Sequence, residues 1–257
     1  MNHNGFTISF PAGARGRLIA NVLNGMVNKI DDPIEYTEYG SAHVHQEKSY
    51  IRKIDDPLIF KPQSDMVYEC VPIFITHDFP DIPVWDKNIY FQNNKVIVIN
   101  VDDEDINEIL LNQIIKNIFP RIDSFVNDKP LESEELQLLY AYRRVFSVHG
   151  IVFDKQLLSD SERITYLLKT GLTNRYLRAK INAQFYGTAL QDSERILNLK
   201  YKHLFSKENG KYRTLEKMAK WLKIEYNDTV EKSFEHYDNI KYDIFQKYCP
   251  WFLQENP

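Results

Sequence analysis

FTISFPAGARGRLIANVLNGMV, running from Phe6 to Val27, decides how the rest of the chain is read. Phe6, Ile8 and Phe10 alternate as in a short buried strand. Pro11, Ala12, Gly13, Ala14, Arg15 and Gly16 form a tight turn of small residues. Beyond Arg17 the apolar residues Leu18, Ile19, Val22, Leu23, Met26 and Val27 fall at helical spacing. A strand, a glycine turn and a helix start together make an anion site. The first N–H groups of the helix have no internal partner, and the macrodipole adds positive potential there. Gly13 and Gly16 permit backbone angles and close approaches that a side chain forbids. Arg15 and Arg17 can add fork-shaped, charge-assisted contacts to a phosphate or sulfate. The plain alternative is a strand-to-helix turn carrying two solvated arginines.

Three further segments extend this beginning into a fold class. Val67–Thr76 is almost continuously apolar, as in a strand covered on both faces, with Pro72 interrupting it. Lys95–Val101 (KVIVINV) is β-branched nearly throughout and is followed by a helix over about Asp103–Ile118. Arg195–Phe205 alternates as a strand with one dry face, carrying Leu197, Leu199 and Tyr201. Helices are expected over Ser133–Val148, Ser159–Phe185 with a break at Gly171, Thr214–Leu222 and Thr229–Cys249. Strands separated by helices imply an α/β fold, a mostly parallel sheet with helices on both faces. Ligands of such sheets sit outside the carboxyl ends of the strands. The Pro11–Gly16 turn, the Thr76-His77 pair and the acids after Val101 all fall at such ends.

The composition narrows the partners. A chain of 257 residues is long enough to bury a full core without staples, and its formal net charge of −4 gives no global attraction to nucleic acid or anionic membrane. Any anion site must therefore be local. The two cysteines, Cys70 and Cys249, supply neither a disulfide framework nor zinc spacing, and point to a reducing, cytoplasmic setting. No leader pattern and no membrane-spanning apolar run is present. His43 and His45 form an H-x-H pair without a nearby third ligand and read as surface histidines. Asp102, Asp103, Glu104 and Asp105 read as cap and dipole stabilisation of the helix they precede, with a metal site as the alternative.

Taken together, the chain resembles the sulfotransferase family. Its closing segment, ILNLKYKHLF followed by TLEKMAKWLKIEYNDTVEKSFEHY, is similar to the family's terminal strand, its Tyr-x-x-Leu-Phe and the helix after it. Thr76-His77-Asp78-Phe79-Pro80, followed about 20 residues later by Lys95-Val96-Ile97-Val98, looks like the family's Thr-His segment and the strand that succeeds it. The Phe10-Pro11 turn resembles the loop that holds the 5′-phosphosulfate. The resemblance implies a P-loop-like three-layer sandwich forming a single domain over 1–257, with a helical insert at about 120–190. It also implies 3′-phosphoadenosine 5′-phosphosulfate as donor, a hydroxyl or amine acceptor and no metal. His77 takes the place of the general base, a role suited to imidazole near neutral pH. Pro11, Ala12, Gly13, Ala14, Arg15, Gly16 and Arg17 take the place of the donor-binding loop, whose charges would hold the transferring group.

Two positions depart from the family pattern. No hydroxyl residue lies between Pro11 and Leu18, and Val101-Asp102-Asp103 stands where the family has the arginine that binds the 3′-phosphate. Arg143, Arg144, Arg175 and Arg178 are possible replacements from the insert. Two other readings stay open at this point. One is a non-catalytic nucleotide- or anion-binding or assembly protein on the same fold. The other is a P-loop nucleotide kinase or hydrolase, which needs a Lys then Ser or Thr where this chain has Arg17-Leu18. The acceptor and the oligomeric state are not encoded in any motif.

Overall fold

The computed structural model describes residues 5–11, 13–29, 35–36, 42–43, 51–53, 71, 73–76, 94–126, 161–173, 175, 178, 191–205, 210–224, 226 and 229–255. The chain divides into two compact units, 1–35 with 42–105 and 182–237, and 36–41 with 106–181 and 238–257.

The first unit holds the sheet. Its strands are β1 (Phe6–Ser9), β4 (Ile51–Lys53), β5 (Ile73–Thr76), β6 (Lys95–Asn100) and β7 (Ile196–Lys200); two two-residue strands between β1 and β4, β2 (Glu35–Tyr36) and β3 (Ala42–His43), pair with each other and not with this sheet. The order is β4-β5-β1-β6-β7 and every pairing is parallel. Four strands thus make the body of an all-parallel sheet, and the three-residue β4 extends one edge. Parallel pairing of β1 with both β5 and β6 aligns Ser9 with Thr76 on one side and with Val98 on the other.

Burial explains the order. Val96, Ile97, Val98 and Ile99 of β6 are all inaccessible, as are Thr7, Ile8 and Ser9 of β1, so both faces of the central strands are covered. Thr7 is accommodated there because its Oγ1 accepts a hydrogen bond from Nδ2 of the buried Asn94, at 3.0 Å. The edge strand β7 buries only Leu197 and Leu199 and leaves Lys200 exposed. The expected strand over Arg195–Phe205 is therefore half strand and half helix, since α4 (Tyr201–Phe205) begins where β7 ends. Tyr201 and Leu204 are both buried, and their separation of one helical turn buries two side chains that an extended chain would place on opposite faces.

Helices flank the sheet. α1 (Gly16–Asn28) packs on β1, β4 and β5 through a buried stripe that includes Leu18, Ile19, Val22 and Leu23. Its last residue is fastened to the approach to β5: Asn28 Nδ2 donates to the Val71 carbonyl (2.9 Å) and Asn28 Oδ1 accepts from Val71 N (2.8 Å). Lys29 then ends the helix in the left-handed conformation, φ 55°. α5 (Gly210–Leu222) packs on β7 with Leu215 and Met218 inward, and starts earlier than the spacing of its apolar residues predicts.

The second unit contains α2 (Ile106–Val126) and α3 (Ser161–Thr173), which pack together, the part of α6 (Thr229–Tyr248) from Asp238 onward, and α7 (Pro250–Glu255). α2 runs past its expected end at Ile118 because Phe119 is buried against the Tyr248 ring, with centroids 4.7 Å apart. Packing of that kind outweighs local propensity. Gly171, expected to break α3, lies buried within it. Glu108 and Lys241 form a half-buried ion pair at 2.7 Å. Cys249 is buried and free, and its thiol is pushed up to about 12, first by burial and then by the charge of Glu108. The expected helix Ser133–Val148 and Cys70 lie outside the described residues.

Candidate functional site

The strand order fixes where a ligand can enter. From β1 the chain passes to β4 at the far edge of the sheet, returns to β5 beside β1, and then crosses to β6 and β7 on the other side, so the connections run to opposite sides of β1. In parallel sheets such a reversal, here at the carboxyl ends of β1 and β6, is where ligands are received. The turn after β1 lies at this point.

The turn is built from two left-handed residues. Gly13 has φ 96°, and Arg15 has φ 62° and ψ 29°. Ala14 N donates to the Pro11 carbonyl at 2.9 Å, closing a tight turn, and Leu18 N donates to the Arg15 carbonyl at 3.0 Å, opening the helix. Arg15 is the N-cap of α1 and its own side chain makes no capping hydrogen bond, and no acidic residue occupies the first turn. The positive end of α1 therefore has no anionic side chain of its own sequence to compensate it. Phe10 fills the space beside Gly16: a Cβ placed on Gly16 would fall within the Phe10 ring. Glycine at this position is thus a steric requirement of the turn.

The two arginines are placed differently. The Arg15 guanidinium lies over the ring of the buried Tyr237, 4.4 Å from its centroid, with Nε and Nη1 buried. Arg17 is half-buried, and burial lowers its pKa from the ordinary value. Pro11 and Ala14 are buried and Gly13 is partly exposed. Ala12 and His77 lie outside the described residues. Thr76, the residue before His77, pairs in register with Ser9, two residues before Pro11.

At the neighbouring carboxyl end of β6 the acids are occupied. Asp105 is buried, its Oδ2 accepts from Asp102 N (3.1 Å), and its own N–H donates to the Asp102 carbonyl (3.0 Å). These are the capping contacts expected of the run. Asp102 Oδ2 also pairs with Nζ of Lys200 (3.4 Å) and of Lys202 (3.2 Å), and Lys202 bonds Glu104 as well. Lys200 and Lys202 thus set positive charge against the carboxylate that stands where the family pattern has an arginine. Among the described residues no group of three or more His, Cys, Asp or Glu side chains is arranged to hold a metal. Of the proposed replacement arginines, Arg178 is engaged within its own unit, donating to Asn107 Oδ1 (2.6 Å) and to the Leu172 carbonyl (3.1 Å).

Burial acts to raise the Asp102 carboxyl, but the hydrogen bonds and charges of Lys202 and Lys200 outweigh it and hold its pKa below the usual value. A carboxylate depressed in the folded state stabilises that state above its unfolded pKa, about 3.9, and the contribution drains away as pH falls through the folded value. The acid limb of the stability curve of Asp102→Asn is therefore expected to be shallower than that of the parent, with the two curves converging at the lowest pH. Urea denaturation across that range checks it, and parallel limbs would remove the ion pairs from the account.

No protein-family model matches the chain, and neither a curated protein nor a solved structure matches it significantly. The structure thus shows a parallel α/β sheet and identifies no family, and the sulfotransferase resemblance remains one of sequence motifs. Among the described residues no helix is long and apolar enough to cross a membrane.

Proposed function

We propose that the chain is a divergent sulfotransferase that takes a sulfuryl group from 3′-phosphoadenosine 5′-phosphosulfate and passes it to a hydroxyl or amine. The observation that carries this reading is the start of α1, with no acid in its first turn and no cap from the Arg15 side chain, opened by left-handed Gly13 and Arg15 at the reversal point of a parallel sheet. Those features fit the 5′ end of the donor, whose oxyanions need main-chain donors and a nearby cation. Arg17 supplies the cation, and its partial burial strengthens a charge-assisted contact. For the 3′-phosphate the fit is poorer, since Asp102 stands in the place of the arginine. Its pairing with Lys200 and Lys202 removes most of the repulsion that an isolated carboxylate would exert.

The chemistry assigned to this chain's own groups is limited. The acceptor oxygen or nitrogen bonds to sulfur while the bond from sulfur to the bridging phosphate oxygen breaks. The acceptor proton passes to the imidazole of His77, and the leaving bisphosphate stays against the α1 start. His77→Ala is expected to reduce sulfuryl transfer by about a hundredfold or more, in the range of a lost general base, with donor binding retained. Transfer of labelled sulfuryl to a panel of phenols, alcohols and amines reads this out, and undiminished turnover would clear His77 of the role.

A second reading, a non-catalytic nucleotide- or anion-binding protein, draws support from Arg15, whose guanidinium is spent on Tyr237. It predicts donor-analogue binding without transfer to any acceptor. The kinase or hydrolase reading is weaker, because Leu18, at the position needing a metal-binding hydroxyl, is a buried core residue.

A further inference from the structure

The opposite edge of the sheet carries a feature that sulfuryl transfer does not use. Between the amino ends of β6 and β7 and the last turn of α5 lies a cleft of about 540 Å³, within the size range of small-molecule sites. Trp221 and Leu197 line it, and the stems of Lys95, Lys217 and Lys220 extend its apolar wall.

The wall is fastened before any ligand arrives. Trp221 Nε1 donates to the Ser193 carbonyl (2.8 Å), and Ser193 Oγ accepts from Ile196 N (3.0 Å). Asp192 accepts from Asn198 N (2.7 Å) and pairs with Lys217 (2.7 Å), whose Nζ also donates to the Asn198 carbonyl (2.8 Å). These contacts consume the polar atom of the indole, the Asp192 carboxylate and the Lys217 ammonium. Lys95 stands over the indole ring, 4.7 Å from its centroid. What remains is an aromatic and aliphatic wall with Lys220 and Lys223 exposed beside it. Among the described residues neither of these two lysines has an ion-pair partner. Among the described lining residues Glu194 is the only acid outside the Asp192–Lys217 pair, so these residues carry an excess of positive charge.

We infer that this cleft binds a small aromatic anion, its ring against Trp221 and Leu197 and its phosphate, sulfate or carboxylate group toward Lys220 and Lys223. Preformed walls lower the ordering cost of binding, and an anion next to low-dielectric apolar surface feels the lysines more strongly than it would in water. The site lies at the sheet edge away from the α1 start and does not depend on the sulfotransferase reading.

Isothermal titration of the full chain with 1-naphthyl phosphate tests the inference, with 1-naphthol and inorganic phosphate titrated separately. Saturable one-site binding of the naphthyl phosphate is expected, each fragment alone binding at least about tenfold more weakly, because both the ring and the charge contribute. The exposed pair Lys220→Glu/Lys223→Glu should weaken it by about tenfold or more through charge reversal, while Arg17→Ala leaves it unchanged. Absence of saturable binding, equal binding of 1-naphthol, or indifference to the double charge reversal would each overturn the proposal. Loss of binding in Arg17→Ala would overturn it too, by moving the probe to the other edge.

Discussion

Gly16→Ala is expected to destabilise the native state by about 3 kcal/mol, at the upper end of ordinary overpacking costs. The added methyl would enter the space occupied by the Phe10 ring. Phe10 is 4% exposed, so the ring cannot swing into solvent without uncovering the base of the turn. No backbone argument is involved, since Gly16 is a helical residue and alanine suits helices better than glycine. The steric cause can be isolated by a double-mutant cycle. In a Phe10→Ala background the same Gly16→Ala change should cost little, because the obstructing ring is gone. Equilibrium unfolding in urea of the four proteins measures this. A Gly16→Ala cost of only a few tenths of a kcal/mol, or one that persists without the Phe10 ring, would mean that the turn is not packed as described.

Ile97→Ala is the second large expected effect. Ile97 is fully inaccessible and lies in register with Ile8 of β1 on one side and Leu197 of β7 on the other. Neighbouring strands hold the backbone in place on both sides, so the site has little freedom to collapse into the void. The expected loss is about 3–4 kcal/mol, within the range for large-to-small changes in rigid cores, and the milder Ile97→Val should lose about 1 kcal/mol. The same urea experiment measures both. A loss below about 1 kcal/mol for Ile97→Ala would show that β6 is not an interior strand held between β1 and β7.

The sheet was legible because its strands are locally emphatic. KVIVIN can only be buried on both faces, and the alternation in FTISF together with the small-residue turn marks the strand-to-helix transition. Pattern also located the edge of the sheet at which the turn, β5 and the acidic run end. What it missed depends on partners distant in sequence. The string RILNLKYKHLF is compatible with continuous alternation, and only packing of Tyr201 and Leu204 decides that its second half coils. Nothing near Arg15 announces Tyr237 as its partner, because a stacking contact between distant segments leaves no local spacing. The lysines facing Asp102 were visible as charges, but their pairing required the parallel register that sets Asn100 opposite Lys200. The amino-edge cleft is likewise formed by β6, the approach to β7 and the end of α5, which share no motif.

The central claim is that the start of α1 receives the anionic end of a sulfonucleotide. Isothermal titration with adenosine 3′,5′-bisphosphate, with and without Mg²⁺ and repeated on Arg17→Ala, addresses it most directly. The account predicts one-site binding that is indifferent to Mg²⁺ and is weakened by about tenfold or more when the guanidinium is removed, as for loss of a charge-assisted contact. Absence of heat at millimolar nucleotide, or an affinity unchanged in Arg17→Ala, would contradict it.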